Sequence, residues 1–410
     1  MEYEYIKRDI DALVLEVSES YSAVIITGPR QVGKTTTLRR LLGEGRRFVS
    51  LDGKENRQLA QSDPELFLSL HPAPVIIDEV QYAPELLPYI KMEIDGGAPP
   101  GSYLMTGSQM YQLMKLAGES LAGRVAILRM SGLSQHEIHG SGVCLPFAVG
   151  LDALQRRAAS GKPTDVLGQF ERIWNGSLPA HISGKHKSRD IFYGSYIDSY
   201  IDRDIKGMVD LKDEFLFRDF VRAAACRTGE MLNIHAIASD VGVSDETAKM
   251  WLGHMEKSGV IFYLRPFSNN LLNRTIKKTP KLYFFDTGLV AYLTKYSSPE
   301  ILMNGAINGA ILENYVVSEI IKTYTNNGLE CYAHYYRDID SKEVDMVLEG
   351  DGELHPIEIK KTASPPTELT GAFKVLDKAS IPRGTGAIIC TKKELSALDR
   401  GTMVVPVWAI

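Results

Sequence analysis

The stretch ITGPRQVGKTTTLRR, from Ile26 to Arg40, restricts what this chain can fold into more than any other. The β-branched run SAVIITG before its loop reads as a buried strand, and TTLRRLLGE after it spaces leucines as a helix does. Between them Gly28, Pro29, Arg30, Gln31, Val32, Gly33, Lys34 and Thr35 match GxxxxGK[ST], with Thr36 following. The order strand, glycine loop, helix makes this a phosphate-binding loop. Its glycines let backbone N–H groups curl around phosphate oxygens, and the helix N-terminus adds partial positive charge. Lys34 is expected to reach the β- and γ-phosphates of a bound nucleotide and Thr35 to hold Mg2+.

The second half of such a site should be an apolar strand ending in acid, and PVIIDEVQ supplies it. Asp78 at the strand end is expected to hold Mg2+ through water. Glu79 beside it would orient and deprotonate an attacking water, which favours hydrolysis over kinase or GTPase chemistry. A third apolar run, SYLMTGSQ, ends in Thr106, Ser108 and Gln109. Ser108 or Gln109 would sense the γ-phosphate. Arg124 in LAGRV is a candidate for stabilising transition-state charge, in its own or a neighbouring subunit. VAILRM reads as the last strand of the sheet.

Taken together, GPRQVGKTT, VIIDEVQ, YLMTGSQ and LAGRV resemble a prokaryotic AAA-type ATPase family whose members join a short ATPase to a C-terminal domain of unknown function. The resemblance implies an α/β fold with a parallel sheet flanked by helices over residues 1–140, with ATP and Mg2+ as ligands. Such ATPases often place a neighbour's arginine at the γ-phosphate, so self-association is a candidate as well. WNGSLP resembles the family's GGYP-like turn, with Asn175 and Ser177 as departures. YIDRDI resembles its YIERDI helix, where Arg203 is a second arginine candidate.

Residues 141–212 read as a helical linker broken by Gly, Pro and Ser. Over 213–297 the pattern is helix, tight turn at Gly242, helix capped by Ser244, then two apolar strands, VIFYLRPF and KLYFFDTGL. This is the layout of a winged helix. Its second helix, Asp245 to Glu256, carries acids as well as Lys249 and is a poorly basic reader. The intervening segment and the start of the second strand offer Arg274, Lys277, Lys278 and Lys281 as phosphate contacts. Docking of protein rather than DNA is the alternative use of such a unit.

Residues 298–410 read as an α/β domain. GAILENYVVSEIIKTYTNNG is a helix carrying Glu313, and EVDMVLEGDGELHPIEIKK is a hairpin carrying Asp345, Glu358 and Lys360. Glu358 and Lys360 stand two apart, hence on one face of a strand. The set resembles the PD-(D/E)xK restriction-endonuclease-like fold. That resemblance implies carboxylates holding a divalent metal, with Lys360 beside the scissile phosphate.

A net charge of −5 excludes a simple polycation that coats nucleic acid, so any DNA contact must be a local patch. The four cysteines form no CxxC pair, which argues against zinc ribbons and fits a reducing compartment. No apolar run approaches the roughly 18 residues of a membrane span, and the charged start lacks a signal-peptide core. The expectation is a cytoplasmic, ATP-hydrolysing protein that acts on or with DNA through a winged helix and a nuclease-like domain. The alternative is an ATP-driven switch or scaffold with an inert C-terminal domain.

Overall fold

The computed structural model describes residues 5–108, 121–142, 144–201, 205, 214–267, 279–338 and 342–410. Its N-terminal sheet is parallel and five-stranded, in the order β2-β3-β4-β1-β5. The strands are β1 (Ala23–Thr27), β2 (Arg47–Ser50), β3 (Val75–Asp78), β4 (Tyr103–Gly107) and β5 (Val125–Arg129). β1 is buried along its whole length because both faces are covered. Ala23 and Ile25 join Phe67, Leu87 and Ile90 on one side. Val24 and Ile26 join Ile10 and Val14 of the opening turn and α1 (Asp11–Ser20) on the other.

Parallel pairing gathers the strand C-termini at one edge, where ligands bind in such sheets. The phosphate loop leaves β1 there and enters α2 (Lys34–Leu42). Asp78 closes β3 at the same edge. β4 is inserted between β1 and β3, so Thr106 lies between the loop and Asp78. Beyond β5, a short helix α3 (Gln135–His139) starts with a complete capping box between Ser134 and Glu137.

The middle is helical, as expected. α4 (Arg189–Tyr200) runs beside the nucleotide-binding edge, and α5 (Glu214–Ala225), α6 (Ile234–Val241) and α7 (Asp245–Lys257) form a compact trio. Trp251 of α7 stands edge-on to Phe217 and Phe220 of α5, with ring centroids 5.2 and 5.1 Å away. α6 stops at Gly242, whose φ is +78°, and the Ser244 hydroxyl caps α7 by accepting from Thr247 N–H at 3.1 Å. The two helices with their turn are followed by a hairpin, β6 (Ile261–Pro266) with β7 (Lys281–Phe284).

That hairpin is not a free wing. β6 pairs with β8 (Ala333–Arg337) and so enters an eight-stranded mixed sheet, order β12-β13-β11-β10-β9-β8-β6-β7. The other members are β9 (Glu343–Gly350), β10 (Glu353–Lys360), β11 (Gly386–Cys390), β12 (Ser396–Asp399) and β13 (Thr402–Pro406). The sheet thus crosses the boundary expected at 297/298. α8 (Thr287–Leu293) follows β7, and α9 (Asn308–Thr325) packs over β10 and β7.

One apolar core runs from Ile26 through Tyr193, Trp251 and Tyr283 to Ile311 and Ile357. A buried polar hub fixes the joint. Asp286 caps α8 by accepting from Leu289 N–H (2.7 Å) and also accepts from Ser177 N–H (2.7 Å), Ser177 Oγ (2.9 Å) and Tyr193 OH (2.8 Å). Leu133, just past β5, donates its N–H to Ser177 O at 2.7 Å. The turn WNGSLP is therefore the fastener between the first sheet and everything after it.

Candidate functional site

The phosphate loop owes its shape to Gly28, where φ is +152° and a Cβ would meet Met130 O at 2.0 Å. No side chain fits there. Lys34 is nearly buried, and its ammonium donates to Gly28 O at 2.8 Å and Pro29 O at 2.7 Å, across the mouth of its own loop. Thr35 and Thr106 each donate a hydroxyl to Asp78 Oδ1 at 2.5 Å, and Ser50 donates to Asp78 Oδ2 at 3.3 Å. This is a set of hard oxygens at the foot of a phosphate cradle, and its chemistry fits Mg2+.

Glu79 sits just past β3 in a left-handed conformation, φ 58° and ψ 46°. That backbone is uncommon for a non-glycine residue and is held by its setting. Glu79 N–H donates to Thr106 Oγ1 at 3.3 Å. Its carboxylate accepts from Ser108 Oγ at 3.3 Å and from the Gln81 side-chain amide, which also donates to Ser108 Oγ at 3.2 Å. Arg30 Nη1 lies 3.9 Å from Glu79 Oε1. The structure thus brings Lys34, Thr35, Asp78, Glu79 and Ser108 to one place.

Lys34, Thr35 and Glu79 border a cleft of about 680 Å³ with two chemically different ends. Arg30 to Thr37 and Glu79 make the polar end. Ile6, Leu133, Pro179 and Ala180 make an apolar wall, and Lys185 and His186, ahead of α4, bring positive or titratable groups to it. Arg8 also lines the cleft and is almost fully buried. It donates to Val32 O at 2.7 Å and Ser131 O at 2.7 Å and pairs with Glu137 at 2.9 Å, so it clamps the phosphate loop against the exit of β5.

Sequence reading misses Arg8, Gln81 and the 179–199 wall. Gln81 had a signal, because it stands two residues after Glu79 in DEVQ. Arg8 had none, since a charged residue near a chain start reads as solvated surface. The segment 141–212, expected as a linker, supplies one wall of the cleft through residues 179–199.

Arg124 is placed away from this site. β5 runs parallel to β1 with Val125 beside Ala23, so Arg124 lies at the edge opposite the phosphate loop, roughly 15 Å away at about 3.3 Å per residue. It pairs there with the exposed Asp95 at 2.5 Å. Within one chain it does not reach the γ-phosphate position. Gln109, Arg203, Arg274, Lys277 and Lys278 lie outside the described residues.

Lys281 overturns its expected role as a phosphate contact. It is 3% exposed and points into the C-terminal domain, 2.8 Å from Glu313 and 2.6 Å from Glu343, with Asp345 Oδ1 at 3.9 Å. β7 carries it there because the hairpin belongs to the large sheet and α9 crosses it. Burial alone would lower this ammonium's pKa, but Glu313, Asp345 and Glu343 outweigh that and raise it. Tyr283 OH donates to Glu313 Oε1 at 2.6 Å.

The hairpin register, Ile357 opposite Met346, sets Glu358 beside Asp345 as the motif requires. Lys360 pairs with Asp345 Oδ2 at 3.0 Å and with Glu358 at 2.7 Å, and Ile359 N–H donates to Asp345 Oδ2 at 2.8 Å. Glu358 Oε2 is buried without a hydrogen-bond partner. Burial and the Asp345 charge push Glu313 and Glu358 each up to about 7. Glu313, Asp345 and Glu358 therefore share one buried cluster with Lys360. Their oxygens do not converge on a metal position, however, and no such three-carboxylate group occurs among the described residues. The Lys281 ammonium stands among them instead, so the residues do not fit a resident divalent ion.

Residues 20–139 match a family described as an AAA domain. Residues 168–300 match one domain of unknown function (DUF8612), and 308–410 match another (DUF4143). Uncharacterized proteins of Mycobacterium tuberculosis and Mycobacterium bovis are each 27% identical over 362 residues, which is 88% of this chain and 75% of theirs. A Walker-type ATPase of Pyrococcus abyssi aligns at 14% identity with a TM-score of 0.47, covering 71% of this chain and 97% of its own. A signal-transduction ATPase with a tetratricopeptide sensor from Pyrococcus horikoshii aligns at 10% identity with a TM-score of 0.24, covering 80% and 48%. The chain is thus similar to an AAA domain over residues 20–139 and to families of unknown function after it. No helix among the described residues is long and apolar enough to cross a membrane.

Proposed function

We propose that this chain is an ATP-hydrolysing switch whose nucleotide cleft drives the helix trio and, through β6 and β7, the C-terminal sheet. The observation that carries the reading is the joined set Thr35, Asp78, Glu79 and Ser108 beside a glycine-built phosphate loop. The phosphates would lie on the backbone of Gly28 to Thr36, with Lys34 exchanging its two carbonyl partners for phosphate oxygens. The apolar wall of Ile6, Leu133, Pro179 and Ala180 suits the base. Thr35 and Asp78 would hold Mg2+, which when bound neutralises phosphate charge. Glu79 accepts the proton of the attacking water, and Ser108 with Gln81 keeps its carboxylate aimed.

The route outward starts at the loop itself. Gly259, between α7 and β6, has φ +73°, and a Cβ there would meet Pro29 Cγ at 2.8 Å. The phosphate loop therefore touches the start of the hairpin that carries Lys281. A displaced loop presses on β6, and β6 is one hairpin partner away from the acidic cluster. With Lys281 inside that cluster, the C-terminal domain is a responder rather than a nuclease at rest.

Action on DNA is the second reading, supported by the capped helix–turn–helix of α6 and α7. The exposed face of α7 carries Asp245 and Glu246 beside Lys249 and Lys257, so it is not a strongly basic surface.

ATP turnover of the purified chain, with and without duplex DNA, tests both. Lys34→Ala is expected to weaken ATP binding about 10- to 100-fold, the worth of a charge-assisted hydrogen bond, and to remove turnover at ordinary ATP levels. Unchanged affinity in that variant contradicts the site. Stimulation of the wild type by DNA would move the second reading ahead of the first.

A further inference from the structure

We infer that Asp9, His136 and Cys144 form a binding site for a borderline transition metal of the zinc class, outside the nucleotide site. Each side chain offers one ligand atom, and these three atoms lie within 4.8 Å of one another, the one such group among the described residues. The three come from separate segments: the turn before α1, the helix α3, and the loop after it. All three are half-buried, so they are neither freely solvated nor sealed.

The donor set is nitrogen, oxygen and sulfur, which selects zinc-like ions over magnesium or calcium. Asp9 Oδ1 already stands 2.6 Å from His136 Nδ1. Ser134 Oγ donates to Asp9 Oδ2 at 3.1 Å, leaving Oδ1 oriented toward the histidine, as supporting groups around metal ligands do. A small cleft lined by Ser134, Leu145, Glu319 and Asn327 adjoins the trio. A thiolate and a carboxylate would bring two negative charges to a divalent ion, so the filled site is neutral. Arg157 is the nearby cation, and it is engaged elsewhere, donating to Leu145 O with its guanidinium 5.5 Å from the Phe147 ring.

The location gives such an ion a consequence. Arg8, next to Asp9, holds Val32 O of the phosphate loop, and Asp9 N–H donates to Glu137 Oε1 at 2.8 Å. An ion joining Asp9 to His136 and Cys144 would pin the segment that forms one wall of the nucleotide cleft.

The test is Co2+ titration of the chelator-treated full chain, followed by absorption. One equivalent is expected to produce a thiolate-to-cobalt charge-transfer band, and added Zn2+ to remove it. Hard oxygen ligands at Thr35 and Asp78 give no such band, so the nucleotide site does not interfere. Cys144→Ser is expected to lose the band, and His136→Asn to weaken binding by at least about 10-fold. In the wild type, Zn2+ is expected to protect Cys144 from alkylation, which needs no variant to fold. Absence of the band, its survival in Cys144→Ser, or alkylation of Cys144 unaffected by Zn2+ would each overturn the proposal.

Discussion

Glu79→Gln is expected to bind ATP normally and to hydrolyse it about 10²- to 10⁴-fold more slowly, the usual contribution of a positioned general base. The amide keeps the shape of the carboxylate and still accepts from Ser108 Oγ, so the loop and its contacts survive. What it loses is the capacity to take a proton from water. A steady-state rate and a separate nucleotide-binding measurement distinguish the two effects. Loss of binding along with rate would mean that Glu79 shapes the cleft, and a full rate would move the base elsewhere.

The second large effect lies far from the nucleotide. Lys281→Met is expected to destabilise the fold by about 3–5 kcal/mol, since it strips the cation from buried carboxylates. Urea unfolding measures it. The loss should depend on pH. Glu313 and Glu358, raised to about 7 from 4.5, hold protons in the folded state that they release when unfolded. Their contribution to stability therefore falls as pH rises from about 4.5 through about 7. Below about 7 Glu313 and Glu358 are largely protonated and the cluster needs its ammonium less. Above it the carboxylates are charged and Lys281 matters most, so the penalty should be larger at about pH 8 than at about pH 6. A Met variant as stable as the wild type at both values would show that Lys281 does not neutralise the cluster.

The phosphate loop, the acid-ended strand and the polar end of β4 are legible in sequence because each is a short local pattern with fixed chemistry. The helix–turn–helix is legible for the same reason: Gly242 and Ser244 punctuate two apolar periods. Partnership over long separations is not legible. KLYFF reads as one arm of a wing whether its lysine faces solvent or a cluster formed by Glu313 and Glu343, dozens of residues away. The Asp345 and Glu358 pairing is readable from strand alternation, but the ammonium between Glu313 and Asp345 is not. Arg124 illustrates the converse. Its neighbourhood in sequence suggested the site, yet the direction of β5 puts it on the far edge of the sheet. Beyond Pro179 of WNGSLP, the wall up to residue 199 carries no motif, because closing a cleft depends mainly on shape and contact.

A switch of this kind requires that the nucleotide be felt beyond its cleft. The direct measurement is backbone hydrogen exchange of Glu79→Gln with Mg2+–ATP against the same protein with ADP, read at Ile261–Pro266 and Lys281–Phe284. The contact of Gly259 with Pro29 predicts that protection in both strands differs between the two nucleotides. A difference confined to the phosphate loop and the walls of the cleft, with both strands unchanged, would contradict it.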